Sequence, residues 1–308
     1  MINDPIDDDE LVAVCRWQSG EASGSEYASD ELVHSRAKAL DYYYAKVRGD
    51  EIDGNSCVIS TDVRDTIDAM LSQILPNLQS KDLVQFEAKS EDDEPQAKIE
   101  SSFCNYIIME KNNGFMLLET LVKDVLLSKN ATAKISVDIE ENVEKERYKG
   151  LSPEELMQVL VPNAPNQEID ITSFDEEAGQ VNLKRITTTR KLLVTAVAPE
   201  NFAVTPEHRS PYLDDCKYCR EIYWSTKSDL IEQGYDAEMV MNLPDANSDN
   251  KIDSIARNQI NDEQNYYDVS PSMRVVEIEE HYIRIDRDGD GVAELWKVLT
   301  CENTFIDA

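Results

Sequence analysis

No run of about 18 apolar residues occurs anywhere in this chain, so no segment is long and greasy enough to cross a bilayer as a helix. The start, MINDPIDDDE, is acidic and lacks an apolar stretch, so it does not read as a secretory leader. Cysteine is scarce: six in 308 residues (Cys15, Cys57, Cys104, Cys216, Cys219, Cys301), which fits free thiols in a reducing compartment rather than a disulfide framework. Histidine occurs three times, as His34, His208 and His281. None of them stands near a Ser or Cys in a recognisable nucleophile motif, so each reads as structural. No glycine-rich phosphate loop of either standard kind is present. Basic residues are outnumbered, with 30 Lys and Arg against 62 Asp and Glu, a net charge of −32. Such a surface repels nucleic-acid phosphates and anionic head groups, and the cations are scattered singly rather than gathered into a groove-reading face.

Hydrophobic residues still make up 41% of the chain and recur periodically, so a core is expected. Residues 1–30, with the Gly/Ser-rich QSGEASGSEYASD, read as a mobile acidic arm or a loosely docked one, with Trp17 as its one large anchor. Residues 31–130 read as a helical region. Val33, Ala37, Leu40 and Tyr44 form a helical stripe, and Tyr42, Tyr43 and Tyr44 cannot all face one side. STDVRDTIDAMLSQILPNLQ is the clearest helix, with Pro76 near its end. LVQFEA (83–88) suggests a short strand, and two more helices follow on either side of the Asn-Asn-Gly break at 112–114. The core expected from these helices is Ile67, Leu71, Ile74, Phe103, Ile107, Leu118 and Leu121. Residues 131–308 read as β-rich, with strands near 167–173, 179–186, 188–198, 274–285 and 293–300, a small helix at 226, and a long polar insertion at 242–273 expected to be mobile. Helices first and mixed β later make the fold class α+β.

The most specific local pattern is IDRDGDGVAEL. Asp286, Asp288 and Asp290 alternate before Gly291, as at the start of a calcium loop. The twelfth position of the helix–loop–helix template is Lys297, which cannot close a calcium shell, and the flanks read as strands rather than helices. A shorter strand–loop–strand template would close with Glu294, making Asp286, Asp288, Asp290 and Glu294 a candidate calcium site. The competing and preferred reading is an ion-free hairpin tip. There Gly291 supplies an unusual backbone conformation, and Arg284, Arg287 or Lys297 or backbone N–H groups neutralise the carboxylates. Asp245, Asn247, Asp249 and Asp253 share the spacing, but with Asn250 in place of Gly and in a polar segment, which reads as coincidence. Cys216-x-x-Cys219 has no second pair to complete a zinc shell, and Asp214 and Asp215 before it are expected to raise the thiol pKa values. It reads as a structural turn. No catalytic or cofactor-binding residue stands out.

Four blocks in series resemble the portal (head-to-tail connector) proteins of short-tailed bacteriophages: ALDYYYAKVRGDEIDGNSCVISTDVRDTIDAMLSQILPNL, EDDEPQAKIESSFCNYIIMEKNNGFMLLETLVKDVLLSKNATAKISVD, VAPENFAVTPEHRSPYLDDCKYCREIYWSTKSDLIEQGYD and VVEIEEHYIRIDRDGDGVAELWKVL. The resemblance runs from about residue 36 to residue 308. It departs from the family's pattern at SCVIS, where an Arg-Ser step is common, and at DDCKYCREIYW, where cysteines are unusual. It implies a non-enzymatic subunit of a dodecameric ring at one capsid vertex, made in the bacterial cytoplasm and found in the virion. The implied partners are other copies of itself, the terminase, capsid and scaffold proteins, the tail adaptor, and DNA passing without sequence-specific contact; no membrane partner is implied. Family chains are considerably longer, so this sequence is expected to correspond to the N-terminal, wing-like part. Two rivals come from other classes. One is a calcium-regulated acidic interaction module built on the Asp286–Glu294 loop. The other is a metal-dependent hydrolase using Asp286, Asp288 and Asp290.

Overall fold

The computed structural model describes residues 5–23, 30–46, 59–78, 83–150, 152–162, 164–175, 180–210, 212–246, 257, 270–302 and 304–308. The fold is α+β, as expected, with two antiparallel sheets. Two compact units interleave along the chain. One comprises 1–80, 118–132 and 196–308, and the other 81–117 and 133–195.

The first unit is built on a five-stranded sheet in the order β4-β5-β6-β7-β8, with β4 Phe202–Val204, β5 Tyr218–Thr226, β6 Val275–Ile285, β7 Glu294–Cys301 and β8 Thr304–Asp307. Every pairing in it is antiparallel, including Glu279↔Thr300, His281↔Val298 and Ile285↔Glu294. Successive side chains alternate faces, so VVEIEEHYIRI offers apolar groups to both. Val276 and Ile278, with Leu299 and Cys301 of β7, pack against Leu230 of α7 (Lys227–Glu232) and Val240 of α8 (Ala237–Asn242). Helix α7 starts on a reciprocal cap: Thr226 Oγ1 accepts from Asp229 N at 3.1 Å, and Thr226 N donates to the Asp229 carboxylate at 3.4 Å. Ile283 and Val298 face the other way, where Leu11, Cys15 and Ala22 cover them.

Those three residues belong to α1 (Asp8–Ser23), so over this stretch the docked alternative for the N-terminal arm is the one that forms. Over 8–23 the chain is a helix with Leu11, Cys15 and Ala22 fully buried, while residues 24–29 lie outside the described ones. Trp17, the expected anchor, is 61% exposed. The segment is polar because a helix docked along one side needs only a narrow apolar stripe. Ile6 N also donates to Arg287 O at 2.9 Å.

In the same unit, α2 (Asp30–Tyr43) and α3 (Asp62–Leu78) meet through Ala37, Leu40, Tyr43 and the partly buried Ile67. Leu127 of α5 (Gly114–Ser128) completes the cluster. The three tyrosines diverge as their succession requires: Tyr43 is buried, Tyr44 half-buried and Tyr42 exposed. Leu71 is buried as expected, whereas Ile74 is exposed. Arg36 is wholly buried, with Nε on Ser128 O at 3.2 Å and Nη2 on Asn130 Oδ1 at 2.8 Å. Arg257 reaches Asp124 and Glu200, each at 2.6 Å. Of the polar insertion expected at 242–273, residues 247–256 and 258–269 lie outside the described residues, and with them Asn247, Asp249 and Asp253. Asp245 pairs with Lys227 and Arg274, each at 2.8 Å.

The second unit holds α4 (Glu94–Tyr106), a wider helical turn at Ile107–Lys111, α6 (Pro153–Val159) and a three-stranded sheet in the order β1-β3-β2, with β1 Thr132–Tyr148, β2 Gln167–Asp175 and β3 Gln180–Val197. The strand expected at 83–88 does not form. That segment instead satisfies its backbone through side chains: Val84 exchanges bonds of 2.9 and 2.8 Å with the Asn105 amide, and Phe86 N donates to Ser101 Oγ at 2.9 Å. Phe103, expected in the core, is 60% exposed. Ile107, Leu118 and Leu121 are half-buried. The strands expected near 179–186 and 188–198 are one strand, β3, which pairs antiparallel with β2. Glu146 of β1 bonds Arg185 of β3 at 3.1 and 3.2 Å, and Glu140 pairs with Lys191.

Candidate functional site

The loop between β6 and β7 places the predicted carboxylates at a hairpin tip, as expected. Gly291 has φ +90° and Gly289 φ +79°, conformations that L side chains rarely adopt. Asp286 organises the turn by accepting Gly289 N and Gly291 N, each at 2.8 Å. Asp288 accepts Asp290 N at 3.2 Å, and Asp290 accepts Val292 N at 2.7 Å. Each carboxylate therefore meets backbone N–H dipoles, the local bonding that makes Asp a turn residue.

The neighbouring cations are engaged elsewhere. Arg284 donates to Asp214 O at 3.0 Å, and Lys297 pairs with Glu280 at 3.3 Å. Arg287 reaches Asp8 at 2.6 Å, with its guanidinium 4.7 Å from the centre of the Trp296 ring. Of the alternatives expected to neutralise the loop, backbone N–H groups are the ones that hold it, and Arg287 ties it to α1. Among the described residues, Asp286, Asp288 and Asp290 form the one cluster of three or more potential metal ligands, with oxygens within 4.8 Å of one another. Glu294, the expected fourth ligand, is not in that cluster and begins β7 opposite Ile285.

Cys216 and Cys219 flank the start of β5. The Asp214 and Asp215 carboxylates were expected to raise both thiols, but neither carboxylate is among the groups that shift them. A hydrogen bond from Cys219 pulls the Cys216 thiol down to about 6, assisted by backbone groups and by His208, which the turn after β4 brings close. The Cys219 thiol moves the other way, because its proton is held by Cys216 and burial opposes its charge. His281 is fully buried, with Nδ1 2.8 Å from Tyr218 OH and Nε2 2.9 Å from Thr300 Oγ1. His34 is exposed on α2.

The features that sequence reading missed are apolar surfaces rather than chemistry. On β1, Ile135, Val137 and Ile139 are 70%, 59% and 58% exposed. On α4, Ile99, Phe103 and Tyr106 are exposed at helical spacing. The alternation in KISVDIE and the spacing of Ile99, Phe103 and Tyr106 were legible, but a periodic stripe does not say whether its partner lies in the same chain.

Against known families, the model of the phage SU10 portal protein matches residues 17–308. No curated protein matches the chain.

Proposed function

Because the chain belongs to the phage SU10 portal protein family, we propose that it serves as a subunit of a ring at one capsid vertex, through which DNA enters during packaging and leaves during ejection, and to which the tail attaches. The observation that carries this reading is the family match over residues 17–308, almost the whole chain. The family is one of structural virion components, and no enzymatic step is required of this chain.

The charge is consistent with that work. A conduit lined by tightly binding cations would hold phosphates and slow their passage, whereas a net charge of −32 leaves DNA without a strong resting place. The partners that fit are other copies of this chain, the terminase motor, capsid and scaffold proteins, and a tail adaptor. The Asp286–Glu294 loop is a self-sufficient turn on this reading, because backbone N–H groups already engage all three aspartates.

The test is genetic. Deleting the gene from its phage should give heads without packaged DNA and no infectious particles, and supplying the protein in trans should restore both. DNA-filled, infectious particles assembled without it would overturn the reading.

A further inference from the structure

Two apolar faces of the second unit are largely exposed. Glu146 bonds Arg185 and Glu140 pairs with Lys191, so even-numbered residues of β1 share a face with odd-numbered residues of β3. Ile135, Val137, Ile139 and Val143 therefore lie on the opposite face, together with the exposed Leu192. Exposed apolar side chains contiguous along two strands mark an interaction surface rather than ordinary scatter.

The charges bordering this stripe are unusual for the molecule. Lys145, Arg147 and Arg190, all exposed, lie further along the same face, where β1 and β3 contribute only Glu141 against them. Glu168 and Asp170 stand beyond, on β2. The reverse face of β1 carries Asp138, Glu140, Glu144 and Glu146. In a chain with 62 acids and 30 bases, a cation-bordered apolar strip is the place where an acidic partner can approach without repulsion.

The second face has the complementary character. Ile99, Phe103 and Tyr106 project from α4, with the exposed acids Asp92 and Glu110 towards its two ends and one cation, Lys111, 5.4 Å from the centre of the Tyr106 ring. A closed ring is built by head-to-tail contacts, each joining two different patches of neighbouring copies. One chain thus presents both halves of such a contact.

We infer that the β1–β3 face of one copy receives the α4 face of the next copy in the ring. This rests on the ring reading above and names the surface that makes it. Aliphatic strand residues meet the aromatic and aliphatic helix stripe, while Lys145, Arg147 and Arg190 meet the acids bordering α4.

The test uses the purified protein, with mass measured by light scattering and particles viewed by electron microscopy. Val137→Asp with Ile139→Asp, and separately Phe103→Asp, should each reduce rings to monomers or weaken association at least tenfold. Circular dichroism and melting temperature verify the fold. If the double Asp variant unfolds, Val137→Thr with Ile139→Thr keeps the strand preference and should still weaken assembly. Lys145→Glu with Arg190→Glu should weaken it too, and adding Asp92→Lys with Glu110→Lys should restore it. If the unsubstituted protein forms rings and folded variants form them equally well, this surface assignment is wrong and the ring reading stands. If the unsubstituted protein stays monomeric even at high concentration, this surface assignment is overturned, while the ring reading is decided by the genetic test above. If the variants keep their rings but lose binding to duplex DNA, the face belongs to DNA and the inference is overturned.

Discussion

His281 is uncharged in the folded protein because burial disfavours the imidazolium and pushes its pKa down to about 4. The groups around it pull both ways. Glu279, 3.9 Å away, and Glu280 favour its charge, while Arg220 opposes it and Tyr218 and Thr300 occupy its two nitrogens. The consequence for stability has a definite sign. The unfolded chain takes up this proton near pH 6.5, and the folded one holds out until about pH 4. The contribution of His281 is therefore complete above pH 6.5 and is lost as pH falls through that window, by about 3 kcal/mol in all. Many carboxylates titrate in the lower part of the same range, so the measurement is a difference. Urea denaturation of the protein and of His281→Gln, at pH 7 and at pH 4.5, should show the unsubstituted protein losing more stability between the two conditions. Equal losses would mean that His281 titrates alike in both states. Leu11 tests packing at the same scale. It is fully buried where α1 meets the sheet, so Leu11→Ala should cost about 2–5 kcal/mol, read as a lowered urea midpoint. A cost below about 0.5 kcal/mol, as at ordinary surface positions, would return the segment to the status of a loose arm.

Among elements, the β6–β7 turn shows what local chemistry can specify alone. Asp286 receives two N–H groups, and the glycines at 289 and 291 adopt positive φ, all within one short stretch of sequence. Gly291→Ala should cost about 1–2 kcal/mol through backbone strain, since its surroundings leave room for a methyl group. With the carboxylates already bonded and Glu294 outside their cluster, calorimetric titration with calcium should show no micromolar binding. Such binding, abolished by Asp288→Ala, would make the loop an ion site after all. This turn, α3 and the short helix α7 were legible in the sequence because their determinants lie within a few residues of one another. Other elements were not, because their determinants are distant. The 83–88 segment is β-like in composition but finds its hydrogen bonds on Asn105 and Ser101. Helix α1 looks too polar to dock until the sheet offers it Ile283 and Val298. The Cys216 thiol is lowered partly by His208, a neighbour that only the β4–β5 connection brings near. The alternation of Ile135, Val137 and Ile139 was visible, but their exposure depends on which surfaces the rest of the unit covers.

At the scale of the whole molecule, charge decides what the chain can hold. Duplex affinity depends on how many phosphates a protein neutralises with cations, and each such contact steepens the dependence on salt. Here a net charge of −32 opposes approach from most directions, and the exposed cations of the β1–β3 face are few and bordered by Glu141. The purified protein should therefore bind a short duplex no more tightly than ordinary non-specific binders, with Kd at or above roughly 10⁻⁴–10⁻⁶ M at physiological salt. Log affinity against log salt should have a shallow slope, of about −3 or less in magnitude, because at most a few phosphates can meet Lys145, Arg147 and Arg190. A fluorescence anisotropy titration across salt concentrations measures both quantities. Nanomolar binding with a steep slope would show a cationic DNA surface, and the view of a conduit that DNA passes without gripping would have to be abandoned. The same preparation should hydrolyse neither nucleotide nor DNA. Metal-stimulated turnover that disappears in Asp288→Asn would instead make the Asp286, Asp288 and Asp290 cluster a catalytic centre.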